Sequence, residues 1–361
     1  MLYSRAPMAS LTRFFHPVLA TSALRRDRPH GVCIGGRGFA LFRDASGAAA
    51  AVSDPCPHRN ASLSGAGSVR GGRLVCGYHG WSFDAQGGGR CPSQPSLRKC
   101  DTESFQVIER FGYLWLADRG VPEAALPALG WEGFELAGSF SHLFQCPLRV
   151  ALDNFSEDEH FPTVHSMLGW DAAGLSKVEF SAENYEDRTE VQYVGPQRRH
   201  PVLPVFGVKA GDRYLNDWVT RFDPLHAVFK FHWESPDGRP RPLAVRTAVF
   251  MVPETEATTR FHLFIFASVA RGSFLRPLLP IVRRAALFIG RREVAADAAI
   301  VRHVRPLDSL EGLRLTRFDK PLIHNRKLLD AIYFGVPRIA PFRDADRFTD
   351  PNSRRPEREA E

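Results

Sequence analysis

The chain has 361 residues, of which 44% are hydrophobic and 24% are charged, and its formal net charge is +7. This length allows two domains, each with a core of its own. The basic residues are scattered, and no run of them alternates with aromatic residues as in a nucleic-acid groove, so a nucleic-acid partner is not expected. The charge fits a solvated surface, and it leaves an acidic redox partner, an anionic substrate or a membrane surface open.

The most apolar stretch, 261–290, contains four arginines and two prolines, which argues against a transmembrane span. Residues 1–12 lack the uninterrupted apolar core of a secretory signal. Two of the six cysteines are closely followed by a histidine, so metal ligation is favoured over disulfides and a reducing, cytoplasmic location is expected. The other four cysteines are predicted to be buried structural thiols: Cys33, Cys91, Cys100 and Cys146.

Glycine-rich turns separate short apolar-alternating runs in the first third of the chain. They predict a small antiparallel β domain over 12–118, with strands at 38–42 and 113–116. The next stretch, 119–139, is punctuated by proline and glycine and is predicted to be a linker.

A second domain is expected over 140–345, followed by a polar tail at 346–361 that is expected to be disordered. Helices are predicted near 151–161 and over 275–304. Strands are expected, in chain order, at 190–194, 217–222, 227–233, 245–252 and 260–269. The pattern is typical of an antiparallel sheet with helices, and the whole chain is therefore assigned to the α+β class. The segment 274–290 is unusually apolar and flanked by arginines, so it is either a core helix, or a lid or membrane-contacting helix that admits an apolar substrate.

The strongest motif is Cys56-Pro-His58, followed after seventeen residues by Cys76-Gly-Tyr-His79. Each arm offers one thiolate and one imidazole, the ligand set of a Rieske [2Fe-2S] centre, in which two Cys hold one iron and two His hold the other. The alternative is a structural zinc site. Zinc fingers usually pair Cys with Cys and His with His within an arm, whereas both arms here are mixed, which favours the cluster.

The residues around the second arm also favour a cluster. Gly77 and Gly80 are expected to let the backbone approach the inorganic sulfides. Tyr78, Trp81 and Phe83 are expected to shield the sulfides from water.

A second motif contains Asn154, Glu157 and His160, which recur at a spacing of three and would share one face of a helix. His165 lies five residues beyond His160, about 140° round an ideal helix. Both histidines can reach one ion only if the helix is distorted or ends between them, and Pro162 supplies a reason. Two His and one carboxylate form the facial triad of non-haem Fe(II) oxygenases.

The third ligand is expected to be a distant acid. A helix over 291–304 would place four residues on one stripe: Val294, Asp297, Val301 and Val304. Asp297 would then point inward, and a buried carboxylate is costly unless it is paired or bound to a metal. Glu293 lies beside the stripe and is a second candidate, while His303 is expected at the surface or in support of the ligands.

With both motifs in place, the chain resembles the α subunits of the Rieske-type ring-hydroxylating oxygenases. The likeness runs from Phe14-Phe15-His16-Pro17 to the helix around Leu328, and it is nearest to the branch of monooxygenases and demethylases. It implies a Rieske β domain followed by a helix-grip-like catalytic domain. It also implies two metal centres with these ligands: Cys56, His58, Cys76 and His79 for the cluster, and His160, His165 and Asp297 for a mononuclear Fe(II).

The resemblance further implies a head-to-tail homotrimer in which electrons cross between subunits. His79 would donate a hydrogen bond to Glu157, and Glu157 would hold His160 of the adjacent chain. Asn154 belongs to the same catalytic set. Family members often have Asp where this chain has Glu157, so the neighbouring Asp158 stays an alternative for the bridging role.

Electrons are expected from NAD(P)H through a separate reductase, with or without a ferredoxin, because the chain lacks a Gly-x-Gly-x-x-Gly motif after a strand. O₂ would bind at the open iron positions. The principal rival reading is a Rieske electron-transfer protein without oxygenase chemistry, and a zinc-binding structural protein comes third.

The substrate is predicted to be bulky and largely apolar: aromatic, polycyclic or sterol-like. Hydroxylation, demethylation, desaturation and dihydroxylation share one ligand set and stay open. Ordinary core packing is the favoured reading for each single candidate pocket residue; the candidates are Leu203, Phe206, Asn216, Trp218, Phe231, Trp233 and Phe250.

Overall fold

The structure is a computed structural model that describes residues 11–307, 310 and 312–336. Its first domain contains ten strands and one short helix: β1 (His16–Ala20), β2 (His30–Ile34), β3 (Arg37–Arg43), β4 (Ala49–Ser53), α1 (Leu63–Ala66), β5 (Ser68–Arg70), β6 (Arg73–Val75), β7 (Ser82–Phe83), β8 (Gly89–Arg90), β9 (Ser104–Arg110) and β10 (Tyr113–Ala117). Six strands form one antiparallel sheet in the order β1-β10-β9-β4-β3-β2, and β5 to β8 form a smaller sheet. The predicted antiparallel β domain is confirmed.

The second domain contains seven strands and four helices: β11 (Glu135–Phe144), α2 (Leu148–Asn154), α3 (Phe161–Val164), β12 (Glu179–Asn184), β13 (Arg188–Pro196), β14 (Arg213–Phe222), β15 (Leu225–Glu234), β16 (Pro240–Pro253), β17 (Thr259–Val269), α4 (Leu279–Val301) and α5 (Lys320–Tyr333). The strands form one antiparallel sheet in the order β11-β17-β16-β15-β14-β13-β12. The predicted α+β class is confirmed. Strand β11 begins within the stretch expected to be a linker, and the tail at 346–361 lies outside the described residues.

The seven-stranded sheet has two buried faces because side chains alternate along each strand. On β16 and β17 one set packs against the first domain: Trp115 of β10 lies 5.0 Å, centroid to centroid, from Phe250 and 5.7 Å from Phe264. The alternate set, which includes Val249 and Leu263, faces helix α4 and lines a cavity. The sheet therefore joins the two domains and also forms the floor of the candidate site.

Helix α4 packs on β11 and β17 and buries Val294, Asp297 and Val301 on its inner face. Its first turn contains Pro280, where a proline removes no helical hydrogen bond. Val304, expected on the buried stripe, lies beyond the helix end and is exposed, because the helix stops at Val301. The outer face exposes Ile281 and Phe288 together with Arg284, Arg291 and Arg292, so α4 buries one face in the core and presents a mixed apolar and basic face outward. No helix within the described ranges is long and apolar enough to cross a membrane.

Candidate metal centres and substrate cavity

Two loops of the first domain share one hydrogen-bonding pattern. Cys56 follows β4 and Cys76 follows β6, and the backbone N–H of each donates to the carbonyl five residues later, on Ala61 and Trp81. The carbonyl of each cysteine also accepts from the N–H four residues later. This repetition presents the two Cys/His arms as a matched pair of turns.

The loops bury their sulfur ligands and expose their imidazoles. Cys56 and Cys76 are buried, and burial, followed by the neighbouring Cys76 thiol, raises the pKa of Cys56. His58 and His79 are exposed, with ring centroids 4.5 Å apart. The two thiols are thus buried and the two imidazoles face the surface. A Rieske [2Fe-2S] cluster needs two Cys and two His ligands, so these residues fit the group.

The structure shows what the glycine and aromatic residues of the second arm contact within the chain. A Cβ at Gly77 would lie 1.9 Å from the carbonyl oxygen of Ala66, so glycine is needed there for packing against α1. Tyr78 is 57% exposed in the single chain, and its role in shielding the sulfides stays a prediction. Trp81 stacks on His58 with centroids 4.8 Å apart, and Phe83 is buried in the core beneath the loops.

In the second domain, three candidate ligand atoms meet at one point. The Nε2 atoms of His160 and His165 lie 3.2 Å apart, and each lies 3.5 Å from Oδ1 of Asp297. A point about 2 Å from all three atoms exists inside this triangle, which is the usual bond length from a divalent transition metal to imidazole and carboxylate. Oδ1 of Asp297 is buried, and none of the described residues donates a hydrogen bond to it. The residues therefore fit a mononuclear metal bound by two His and one carboxylate.

The two histidines flank a single helical turn, and the helix predicted near 151–161 is present only as far as Asn154. Helix α2 ends at Asn154, and α3 begins only after His160. The reason is local: the Glu157 carboxylate accepts the backbone N–H groups of Glu159 and His160, which a continuous helix would direct to earlier carbonyls. Asn154, Glu157 and His160 therefore do not share a helical face.

Pro162 plays the opposite role to the one expected of it. It lies in the first turn of α3 and starts that turn after His160, rather than ending an earlier helix. His165 then follows α3 directly, and the single turn brings the two imidazoles to one point.

Each imidazole contacts a carboxylate with the nitrogen that faces away from the metal point. Nδ1 of His160 lies 2.6 Å from Oε1 of Glu157, and Nδ1 of His165 lies 2.6 Å from Oε2 of Glu293. The first contact is a hydrogen bond, whereas the second is close but not aligned as one. Burial lowers the pKa of His160, but Glu157 and the other nearby carboxylates raise it to about 9. This excess of buried negative charge favours a bound cation.

Glu293 is the residue whose role the sequence underestimated. It was only a second candidate for a metal ligand, yet it is 3% exposed and its Oε1 accepts the backbone N–H of Met167. It lies one turn before Asp297 on α4, so an i, i+4 acid pair beside the buried stripe was the available signal.

Asp158 and Asn154 are placed apart from the His160 Nδ1 contact. Asp158 is buried and accepts a 2.6 Å hydrogen bond from Asn216, so Glu157 is the carboxylate positioned against His160. Burial raises the pKa of Asp158 to about 8. Asn154 lines the metal cavity, and its side chain lies against the Asp297 carboxylate.

Arg198, which the sequence did not single out, holds the α3 turn in place. Its guanidinium donates to the carbonyl of His165 at 2.8 Å and to that of Phe161 at 3.1 Å. The turn is too short to be stable by itself, so these bonds fix the position of His165.

A cavity of about 580 Å³ opens on the metal point, and a second of about 690 Å³ continues from it. Both are lined by Leu168, Phe231, Thr247 and Gly290 and are largely apolar. Of the pocket candidates, four line the second cavity: Leu203, Phe206, Phe231 and Trp233. The other three do not line either cavity: Phe250 faces the first domain, Asn216 bonds Asp158, and Trp218 stacks on Tyr193.

Comparison with known proteins agrees with this arrangement. Residues 14–108 match the Rieske [2Fe-2S] domain family. The oxygenase component of dicamba O-demethylase from Stenotrophomonas maltophilia is 28% identical over 65% of this chain and 72% of its own length. The 4β-methylsterol monooxygenase of Methylococcus capsulatus is 28% identical over 65% of this chain and 63% of its own length.

The fold is shared over nearly the whole chain with a crystal structure of dicamba monooxygenase bound to 3,6-dichlorosalicylic acid. The TM-score is 0.69 at 21% identity, covering 90% of this chain and 98% of the other. Together with the domain match and the relatives, this shared fold supports a Rieske oxygenase α subunit of the monooxygenase and demethylase branch. Proteins of this class contain a [2Fe-2S] cluster and a mononuclear iron.

Proposed function

We propose that this chain is the terminal oxygenase component of a multicomponent system that uses O₂ and electrons from a reductase to hydroxylate or demethylate a bulky, largely apolar small molecule. The observation that carries the proposal is the triangle of His160, His165 and Asp297, which opens on an apolar cavity in a chain that also carries the Cys/His loops. A pure electron-transfer protein has no use for the triangle or for the cavity.

Each part of the site has a distinct task. Cys56, His58, Cys76 and His79 would hold the cluster, and His160, His165 and Asp297 would hold the iron. When bound, the cluster supplies electrons and the iron supplies the position at which O₂ is activated. Glu157 and Glu293 orient the two imidazoles through their Nδ1 atoms.

The cavity walls position the substrate and exclude water. Phe231 and Leu168 line both cavities, so an apolar body can extend from the metal point into the second cavity. The relatives are named as a dicamba O-demethylase and a 4β-methylsterol monooxygenase. We therefore infer a substrate of this size range with an oxidisable methyl or ring carbon held near the metal point.

The metal content tests this function. Anaerobically purified protein is expected to contain about three irons and two acid-labile sulfides per chain, with a Rieske-type signal on reduction. Asp297→Ala is expected to contain two irons and to keep that signal, because only the second site loses a ligand. Two irons in the wild type, with no increase on Fe(II) addition, would favour the electron-transfer reading, and a zinc-loaded colourless protein would overturn the cluster.

We further propose that the active form is a homotrimer in which the cluster of one chain serves the iron of the next. The exposed edges of His58 and His79 support this, because a group on another chain can reach them without passing through the protein interior. Glu157 is a suitable recipient, since its side chain is 15% exposed and already contacts His160.

Subunit mixing tests the electron path. Cys76→Ser removes the cluster and Asp297→Ala removes the iron, so each variant alone is expected to be inactive. Co-expressed, they are expected to recover activity only if electrons cross between chains. Recovery in size-separated trimers supports the proposal, and no recovery in intact mixed trimers contradicts it.

The reductase is proposed to draw on NAD(P)H, with or without a ferredoxin. The cytoplasmic location also stays a prediction; it is supported by six cysteines that are all free of disulfides in the structure.

A further inference from the structure

The second cavity contains one polar group whose hydrogen-bonding capacity is unused. His200 lies in its wall and is 8% exposed. The rest of the lining is almost entirely apolar, apart from Thr247 at the junction with the metal cavity. A buried polar atom among apolar side chains is costly unless a partner reaches it.

The protonation of the His200 ring follows from its contacts. Nδ1 accepts two backbone N–H groups, from Val202 at 3.1 Å and from Leu203 at 3.0 Å. An atom that accepts cannot carry the proton, so in the neutral ring the proton is on Nε2. Burial, together with the positive charge of Arg198, lowers the pKa of His200 and keeps the ring neutral near pH 7. Nε2–H is thus a donor, and it has no acceptor in the structure.

The position of this donor is rigidly set. The two N–H groups that anchor Nδ1 belong to the start of the short helical turn Leu203–Phe206, whose side chains Leu203 and Phe206 also line the cavity. The ring edge opposite the anchored Nδ1 is therefore the only polar edge that His200 can offer to a ligand.

We propose that the second cavity binds a neutral, largely apolar molecule through one hydrogen-bond-accepting oxygen, a carbonyl, ether or hydroxyl, which takes the Nε2–H of His200. This rests on the proposed function, because it assumes that the molecule continues into the metal cavity. The single acceptor sets which end of the substrate enters first, so His200 selects the carbon that faces the metal point. A carboxylate is disfavoured, since a neutral donor in an apolar wall does not compensate the desolvation of a charge.

A matched pair of probes isolates the hydrogen bond. 9-Fluorenone and fluorene have the same three-ring frame and differ in the carbonyl oxygen. Binding to the holoenzyme is measured by equilibrium dialysis under nitrogen without reductase, so that no turnover occurs. We expect fluorenone to bind about tenfold more tightly than fluorene, as one satisfied buried donor allows. The carbonyl stretch of bound fluorenone is expected at lower wavenumber than in an apolar solvent.

Two variants separate the donor from the fold of the loop. In His200→Asn the side-chain oxygen can still accept from Val202 and Leu203, but no donor reaches the position of Nε2. It is expected to bind both probes equally, with the carbonyl band unshifted and fluorene affinity unchanged. His200→Phe loses the anchor as well and is expected to weaken both probes.

The outcomes distinguish this inference from the proposed function. Equal binding of the two probes to the wild type, or a carbonyl shift that survives in His200→Asn, overturns the role of His200. A preference that depends on His200 supports it even if the holoenzyme then fails to oxidise any substrate, and that failure would count against the oxygenase proposal alone.

Discussion

At the scale of single residues, the carboxylates around the metal point decide how the imidazoles are oriented. Glu157 and Glu293 each contact an Nδ1 atom at 2.6 Å, and this leaves both Nε2 atoms directed at Asp297. A carboxylate on the far nitrogen fixes the tautomer of a ligating histidine and raises its basicity. Two glutamates from distant parts of the chain thus orient the two imidazoles from opposite sides of one site.

Replacing Glu293 by Gln is expected to weaken iron binding by about 10- to 100-fold, because the charge that supports His165 is lost while the shape is kept. Competition with a chelator for Fe(II) measures this. Glu132→Gln is the matched control, since Glu132 is 90% exposed and lies on the surface. Unchanged iron affinity in Glu293→Gln would mean that the contact with His165 is incidental.

Glu157→Gln, supplied with enough Fe(II) to fill the mononuclear site, is expected to lower turnover by about 100-fold. The amide can still accept backbone N–H groups, so the local turn is kept, unlike in Glu157→Ala. The rate at which the reduced cluster is reoxidised, followed by its optical absorbance, reports electron transfer directly. It therefore separates slower electron transfer from weaker substrate binding. Glu157→Asp restores the charge and should recover part of the rate; normal turnover in Glu157→Gln would remove the residue from the electron path.

At the scale of secondary-structure elements, the site depends on a helix that is interrupted. Helix α2 ends at Asn154, and the one-turn helix α3 lies between the two histidines. A single turn has little stability of its own, so its position comes from tertiary bonds such as those from Arg198 to the carbonyls of Phe161 and His165.

Arg198→Met is expected to lower iron affinity by about tenfold, because the methionine fills the same space but leaves both carbonyls without their donors. Iron retention after dialysis against a chelator measures the effect. The adjacent Arg199→Met is the control, since Arg199 is exposed. Equal retention by the two variants would show that α3 is held by packing alone.

At the scale of the whole molecule, the two domains meet across aromatic residues that surround two buried histidines. His262 on β17 stacks edge-on against Tyr113 of β10 at 5.6 Å. Burial lowers the pKa of His262 to about 3 and that of His16 to about 4. Both rings are therefore neutral in the folded protein at pH 5, whereas in the unfolded chain they titrate near 6.5.

The free energy of unfolding is expected to fall as the pH falls from about 6.5 towards 4. In that window the unfolded chain binds more protons than the folded one, so acid favours unfolding, by up to about 1.4 kcal/mol per pH unit for each histidine. Urea unfolding at pH 7 and pH 5 measures the loss. It should be about 2 kcal/mol smaller in His262→Phe than in the wild type. The control His303→Phe changes an exposed position and should lose as much stability between pH 7 and pH 5 as the wild type. If His262→Phe also loses as much as the wild type, buried His262 is not a source of the acid sensitivity.

Much of the architecture can be predicted from local patterns. The alternating strands, the α+β class and the Cys/His loops depend on residues close together in the chain, where periodicity and spacing carry the information. The inward direction of Asp297 followed in the same way from its place among buried valines on α4.

The tertiary structure decided what local spacing leaves open. Glu157 rather than Asp158 contacts His160, because the helix ends early and Asp158 turns to Asn216 on β14. The sequence by itself therefore determined which residues could hold metal and, for Asp297, the helix on which it lies. Only the fold decided which carboxylate reaches which imidazole, and that His200 is left with an unused donor, because both depend on side chains from segments far apart in the chain meeting where water is excluded.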